Sequence, residues 1–265
     1  MSMHDDELNL LTETLRKTML SVSGSKLDAA MTELGWTEML TEMPDVAVPL
    51  VFRLLGETGA HAPLVNDVVL ADTALSLPVG GTVALPYSGG RWVLWERSEG
   101  PGTTLDTDVP LRVVEAGDAV PLAAGRRALG WWLVGTSRAM LDLARTHALN
   151  RMQFGKPVAS FQAVRHRLAE TLVAIEGAEA TLNTATDDLG SLLAKAAAGK
   201  AALTTARHCQ QVLGGIGFTA EHDLHRHVRR AMLLDGLLGS ARELTREAGA
   251  TIRTQGFAPR LTQLS

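Results

Sequence analysis

Asn150-Arg-Met-Gln-Phe-Gly-Lys-Pro-Val-Ala-Ser-Phe-Gln162 breaks a long Ala/Leu-rich region, and Gln211-Val-Leu-Gly-Gly-Ile-Gly-Phe218 breaks it again about fifty residues later. From Gly125 onward proline nearly disappears, and Val164, Leu168, Leu172, Ile175 and Leu182 recur at intervals of three, four or seven. That spacing puts them on one face of a helix. Segments 125–150, 157–184, 188–211 and 236–255 predict four helices with short connections, an antiparallel bundle. Trp131 and Trp132 open the first of these beside Leu129, Leu133, Met140 and Leu143, a pattern of packing and not of a ligand platform.

Upstream the pattern changes twice. Between about 72 and 118, LSLPVGGTVALPY, RWVLWERS and LRVVEAG are short Val-, Leu- and Trp-rich runs cut by Gly, Pro and Ser-Gly-Gly turns, which predict a few short strands. Residues 5 to 60 return to helical spacing, with Leu8, Leu11 and Leu15, then Leu50, Phe52, Leu54 and Leu55 before Gly56. The expected fold is mainly α: an N-terminal helical region (1–75), a reduced β segment (76–120) and a C-terminal four-helix bundle (121–265). No internal repeat or low-complexity tract is visible.

Hydrophobic residues make up 46% of the chain and charged residues 20%, enough apolar surface for a substantial core. A net charge of −4 without a Lys/Arg block gives no electrostatic reason for nucleic acid or an anionic membrane as partner. The acidic start MSMHDDELNLLTETLRK lacks the pattern of a signal peptide, and no apolar run reaches the length of a membrane span, so a cytoplasmic location is expected. The single cysteine, Cys209, falls within a predicted helix and is read as a packed side chain.

In the first break, Arg151, Gln153, Lys156 and Gln162 surround an aromatic residue and a glycine. A guanidinium fork can donate two hydrogen bonds at once to a diphosphate; the plainer alternative is a solvated loop with Pro157 in the first turn of the next helix. In the second break, glycines tolerate positive φ and let backbone approach a ligand, or simply cap a helix. The motif follows a helix, so it is no Rossmann fingerprint, and it lacks the Gly-Lys-Ser/Thr ending of a Walker A loop. His222, Asp223, His225 and His227 alternate instead of recurring at i, i+4, which argues against a metal. Arg226, Arg229 and Arg230 read as a charged helix surface.

Taken together, RxxFG…FQ at the start of one helix, QxxGGxGF near the end of another and the basic start HRHVRRA resemble the C-terminal domain of acyl-CoA dehydrogenases. ELGWTEML at 33–40 and LLGETGAHAPLVNDVVLADTAL at 54–75 resemble the family's N-terminal helices. The resemblance implies an enzyme that removes the α-proton of an acyl-CoA and passes the β-hydride to FAD, with an electron-transfer acceptor downstream. It further implies that Arg151, Gln153, Phe154 and Gln162, with Gln211, Val212, Leu213, Gly214 and Gly215, reach the FAD of a neighbouring subunit.

Two departures qualify that inheritance. The family's base, a Glu before a Gly-Thr pair about ten residues past the Arg matching Arg229, falls on Leu238, and the alternative position 26 residues before Arg151 is Gly125. Neither side chain accepts a proton. The middle domain is about half its usual length and lacks the segment that holds flavin and substrate, and Arg230 replaces an Asp, removing an internal ion-pair option. The pattern is similar to shortened subunits of heteromeric acyl-CoA dehydrogenases acting on steroid side-chain CoA esters, which form heterotetramers with a larger, Glu-bearing homologue. Two alternatives stay open: a structural or CoA-ester-binding relative without flavin, and a self-sufficient enzyme using Asp235 or Glu243.

Overall fold

The computed structural model describes residues 5–73, 80–98 and 106–256. Five helices come first: α1 (Asp5–Ser21), α2 (Ser25–Glu33), α3 (Trp36–Glu42), α4 (Pro44–Thr58) and α5 (Leu64–Ala71). Strands β1 (Ala84–Tyr87), β2 (Arg91–Trp95) and β3 (Leu111–Val114) form an antiparallel sheet in the order β1-β2-β3, with Val93 paired to Leu85 and Val113. Then come α6 (Ala123–Asn150), a small hairpin of β4 (Met152–Gln153) and β5 (Lys156–Pro157), α7 (Gln162–Asn183), α8 (Asp188–Leu213), α9 (Leu224–Gly236) and α10 (Ala241–Gln255). The helix–strand–helix order matches the expected mainly α fold. The expected boundary at 75/76 lies outside the described residues, as do residues 257–265.

Three helical expectations need correction. The helix expected over 236–255 is α10 alone, starting at Ala241, and is preceded by a separate α9. Apolar spacing runs through LLDGLLGS, but Leu238 (φ 58°) and Gly239 (φ 101°) are left-handed there, and a capping box between Ser240 and Glu243 restarts the helix. The helix expected from 157 starts at Gln162, because Pro157 closes the β4–β5 hairpin. Leu172, assigned to the buried stripe of that helix, is exposed next to exposed Val173.

Helices α4 and α6 cross at backbone contact. A Cβ on Gly56 would fall 2.3 Å from the amide nitrogen of Thr136, and one on Gly135 would fall 2.1 Å from the carbonyl oxygen of Arg53. The close approach seats Trp132 among three elements: its ring is 5.7 Å from Phe52 on α4, edge-on, and 5.7 Å from Trp95 on β2, stacked. Phe52 in turn meets Trp36 on α3. Trp131 and Trp132 are core residues, as their helical spacing implies, and Cys209 is a buried thiol whose pKa is pushed up to about 12 by that burial.

Polar ties hold the N-terminal helices to the sheet. Buried Asn66 donates through Nδ2 to the Trp95 carbonyl at 3.0 Å. Arg97 bridges Asp28, at 2.6 Å, and Asp67, which also accepts from Trp36 Nε1. Arg230 is not a surface residue. It is buried, ion-paired with buried Asp106, and donates to the Ala60 carbonyl at 3.1 Å. The exchange of Asp for Arg on α9 therefore keeps an internal ion pair, with the acid supplied by a different part of the chain.

Lys195 of α8 is fully buried, and its ammonium donates to the carbonyls of Leu234 (3.0 Å), Asp235 (2.7 Å) and Gly239 (2.9 Å). These carbonyls belong to the end of α9 and the turn after it, where intrahelical donors run out. Burial pushes the Lys195 pKa from 10.5 down to about 8. Between those values the unfolded chain holds a proton that the folded chain has released, so stability should rise with pH. Denaturant titrations from pH 8 to 10.5 should show the wild type gaining on Lys195→Met by on the order of 3 kcal/mol. A pH-independent difference would mean that the ammonium stays charged in the fold. Gly135→Ala should lower stability by about 3 kcal/mol or prevent folding, because backbone lies where the methyl would go; an unchanged Tm would refute the crossing.

Candidate functional site

Helix α6 ends at Asn150, and Arg151 is held on both sides by backbone: its N–H donates to the His147 carbonyl (2.9 Å) and its carbonyl accepts from Val158 (2.8 Å). The hairpin that follows turns through Phe154 (φ 52°) and Gly155 (φ 78°), the two positive φ values of a tight β-turn. Glycine takes that conformation freely, whereas an aromatic residue there costs about 1 kcal/mol. Phe154 is nonetheless 91% exposed, its ring meeting Phe161 edge-on at 6.2 Å, while the Lys156 ammonium lies 4.6 Å above the Phe161 ring. Arg151, Gln153 and Gln162 are all exposed, and the Arg151 guanidinium has no hydrogen bond or ion pair among the described residues. Gln162 begins α7.

The second motif forms the end of α8 and a 3-10 turn over Gly214–Phe218. Val212 and Leu213 are buried, so any ligand role there falls to their main chain, while Gln211 is exposed. Gly214 has φ 66°, and a Cβ on either Gly214 or Gly215 would meet nothing within 4 Å. Gly215 is thus required neither by its backbone nor by a packed neighbour, and the space beside it is open to a ligand.

The fold brings the two motifs together. Helices α6 and α8 run the same way, so their C-terminal ends lie at one end of the bundle. His208, near the end of α8, bonds to Thr171 Oγ1 (2.9 Å) and Arg167 (3.2 Å) near the start of α7, and His222, just past the second motif, packs on His147 at the end of α6. His222 and His225 of the 222–227 stretch each make a local bond through Nδ1. His222 Nδ1 accepts from the Leu224 amide, His225 Nδ1 donates to the His222 carbonyl, and half-buried His227 has its pKa lowered to about 4 by desolvation and then by Arg230 and Arg226. Sequence reasoning did not single out His147, which has no motif around it.

The two positions where the family places its base also converge, at the other end of α6. A Cβ on Gly125 would fall 2.9 Å from Leu238 Cδ1 and 2.7 Å from Val69 Cγ2. Leu238 is fully buried there, its amide donating to the Pro86 carbonyl (2.8 Å) and its carbonyl accepting from Arg126 Nε (3.2 Å). The space where a carboxylate would work is filled with leucine and valine. Asp235 does not replace it: Oδ1 accepts from the Ala241 amide (3.0 Å) and fills the room left by Gly199. Glu243 accepts from the amides of Gly89 and Ser240 and from the Ser240 hydroxyl, which pull its pKa down to about 2, opposite to what a general base needs.

Gly125 and Arg151 stand 26 residues apart on one straight run, about 39 Å at 1.5 Å per residue. The polar loops therefore cannot serve a reaction centre at the Leu238 end of the same chain.

Residues 119–250 match the family described as acyl-CoA dehydrogenase, C-terminal domain. The chain is 37% identical to the acyl-CoA dehydrogenase FadE34 of Mycobacterium tuberculosis over 198 residues, 65% of this chain and 28% of that protein. It is 31% identical to IpdE2 of the same organism over 175 residues, 62% of this chain and 55% of the relative. It thus spans about half or less of the length of these curated relatives. Among solved structures, a variant of the Tcur3481-Tcur3483 steroid ACAD superposes with TM-score 0.72 at 20% identity, over 95% of this chain and 99% of that one. A chain of the ChsE4-ChsE5 complex from Mycobacterium tuberculosis gives TM-score 0.66 at 18% identity, over 97% and 99%. At these identities the structural likeness is one of fold. Through its C-terminal domain, carried on a scaffold of the same fold, the chain belongs to the acyl-CoA dehydrogenase family.

Proposed function

We propose that this chain is a subunit of a flavin-dependent acyl-CoA dehydrogenase and that it completes the FAD site of a larger, Glu-bearing homologue without carrying the base itself. The observation that supports this most is the separation of the two regions along α6. One end is closed by Leu238 against Gly125 and Val69; the other presents an unpaired guanidinium, three exposed glutamines, open glycines and an outward phenylalanine. Loops that point away from their own closed centre have work only on a neighbour.

The donor set fits part of FAD and not all of it. Arg151 with Gln153, Gln162, Gln211 and the Gly214–Gly215 backbone suits a diphosphate and an adenosine, which need fork donors, amides and close backbone approach. The three-stranded sheet and the closed position at Leu238 offer nothing equivalent for the isoalloxazine ring. Bound FAD supplies hydride acceptance; this chain's residues would hold and orient its nucleotide half. Exposed Leu149, Met152, Phe154 and Phe218 lie at the same end, with Val173 further along α7, an apolar margin suited to a subunit contact. A steroid side-chain CoA ester as substrate rests on the family resemblance alone, with a steroid ACAD among the structures of the same fold. Among the described residues no helix is long and apolar enough to cross a membrane.

The test is to co-express the chain with the longer homologue and read flavin absorbance near 450 nm. Flavin at about half an equivalent per chain in the complex, and none in the chain alone, is the expected result. Arg151→Ala should lower that occupancy about tenfold at limiting FAD with helicity unchanged, as loss of a charge-assisted contact implies; unchanged flavin content would remove Arg151 from the site. Leu238→Glu should yield no activity in the chain alone, because the flavin ring still has no cradle. Turnover from that single change would show the chain to be self-sufficient.

A further inference from the structure

At the end of α6 a cavity of about 380 Å³ opens between Arg151, His147 and His222, with Thr146 and Asp142 on its walls. The two imidazoles meet edge to face, with ring centres 6.4 Å apart. His222 Nδ1 accepts from the Leu224 amide at 3.1 Å, so in its neutral form the ring proton sits on Nε2, the nitrogen left for another partner. The His147 ring makes no hydrogen bond among the described residues, and neither does the Arg151 side chain. The carboxylate of Asp142 has its own cation, Arg145, at 3.7 Å. Three nitrogen donors thus border one space with no acceptor assigned to them, and the charges of His222 and Arg151, after desolvation, hold the His147 pKa below its ordinary value. An anion in the cavity would reverse that repulsion.

We infer that Arg151, His147 and His222 form one phosphate-binding subsite, and that in the assembled enzyme it takes the diphosphate of the FAD held by the neighbouring subunit. The assignment rests on the completing-subunit reading above and adds two residues to it. A dinucleotide diphosphate carries a charge on each phosphorus, and a single guanidinium balances only one. Imidazole N–H groups supply the remaining donors. His147 and His222 are positioning residues: they fix where the nucleotide lies and take no part in proton or hydride transfer.

The chain alone, with its histidines isotope-labelled, would be titrated with pyrophosphate, with ADP and with uncharged adenosine while the imidazole C–H resonances are followed. Pyrophosphate and ADP should shift the His147 and His222 resonances together, and adenosine should not. His147→Phe should weaken pyrophosphate binding about tenfold, as loss of a charge-assisted bond implies, and His147→Gln, which keeps a donor, should recover part of it. In the co-purified complex, His147→Phe should speed flavin loss on dilution. No response to pyrophosphate at millimolar concentration, or equal binding by wild type and His147→Phe, would overturn the subsite even if Arg151→Ala still empties the complex of flavin. Pyrophosphate binding through His147 together with full flavin occupancy in Arg151→Ala would overturn the link to FAD.

Discussion

Everything in this molecule is arranged around the crossing of α4 on α6, where Gly56 and Gly135 let two backbones touch. Side chains at either position would hold the helices apart, and Trp132 would lose its seat between Phe52 and Trp95. That aromatic cluster is where the N-terminal helices, the sheet and the bundle meet. A β region of three short strands is too small to bury a core of its own, and Trp95 lends it the core of its neighbours. Asn66, Arg97 and the buried Arg230–Asp106 pair add direction to the contact, since each side chain accepts only a few geometries.

The same scaffold closes the place around Leu238 where the family resemblance puts a base. Leu238 is left-handed and buried, tied to Pro86 and Arg126, and the carbonyls around its turn converge on the Lys195 ammonium. A buried ammonium is costly unless all its protons are used, and here three carbonyls use them. The turn where the resemblance places a carboxylate is a packed joint between α9 and α10. At the other end of α6 the arrangement is the opposite: polar and aromatic side chains face outward with few partners, and Phe154 keeps an unfavourable backbone conformation while its exposed ring makes an edge-on contact with Phe161.

Much of the fold is legible in the order of the residues. Periodicity identifies the long helices because each buries a continuous stripe, and the Val/Trp-rich runs around 84, 91 and 111 fall on the three strands. The misread places share a cause. The break at Leu237–Ser240 is invisible to apolar spacing because both sides of it are buried, and Arg230 reads as surface because its acid, Asp106, is 124 residues away in sequence.

By itself the sequence determined the family through the two spaced motifs, and the absence of a carboxylate at Leu238 and Gly125, because both depend only on residue type and separation along the chain. Tertiary structure alone decided that those two positions are a single closed place, that both motifs lie at the opposite end of α6, and that His147 and His222 share a cavity with Arg151. The physical reason is that these facts depend on which helices run parallel and how closely they pack. That is settled by contacts between residues far apart in the chain.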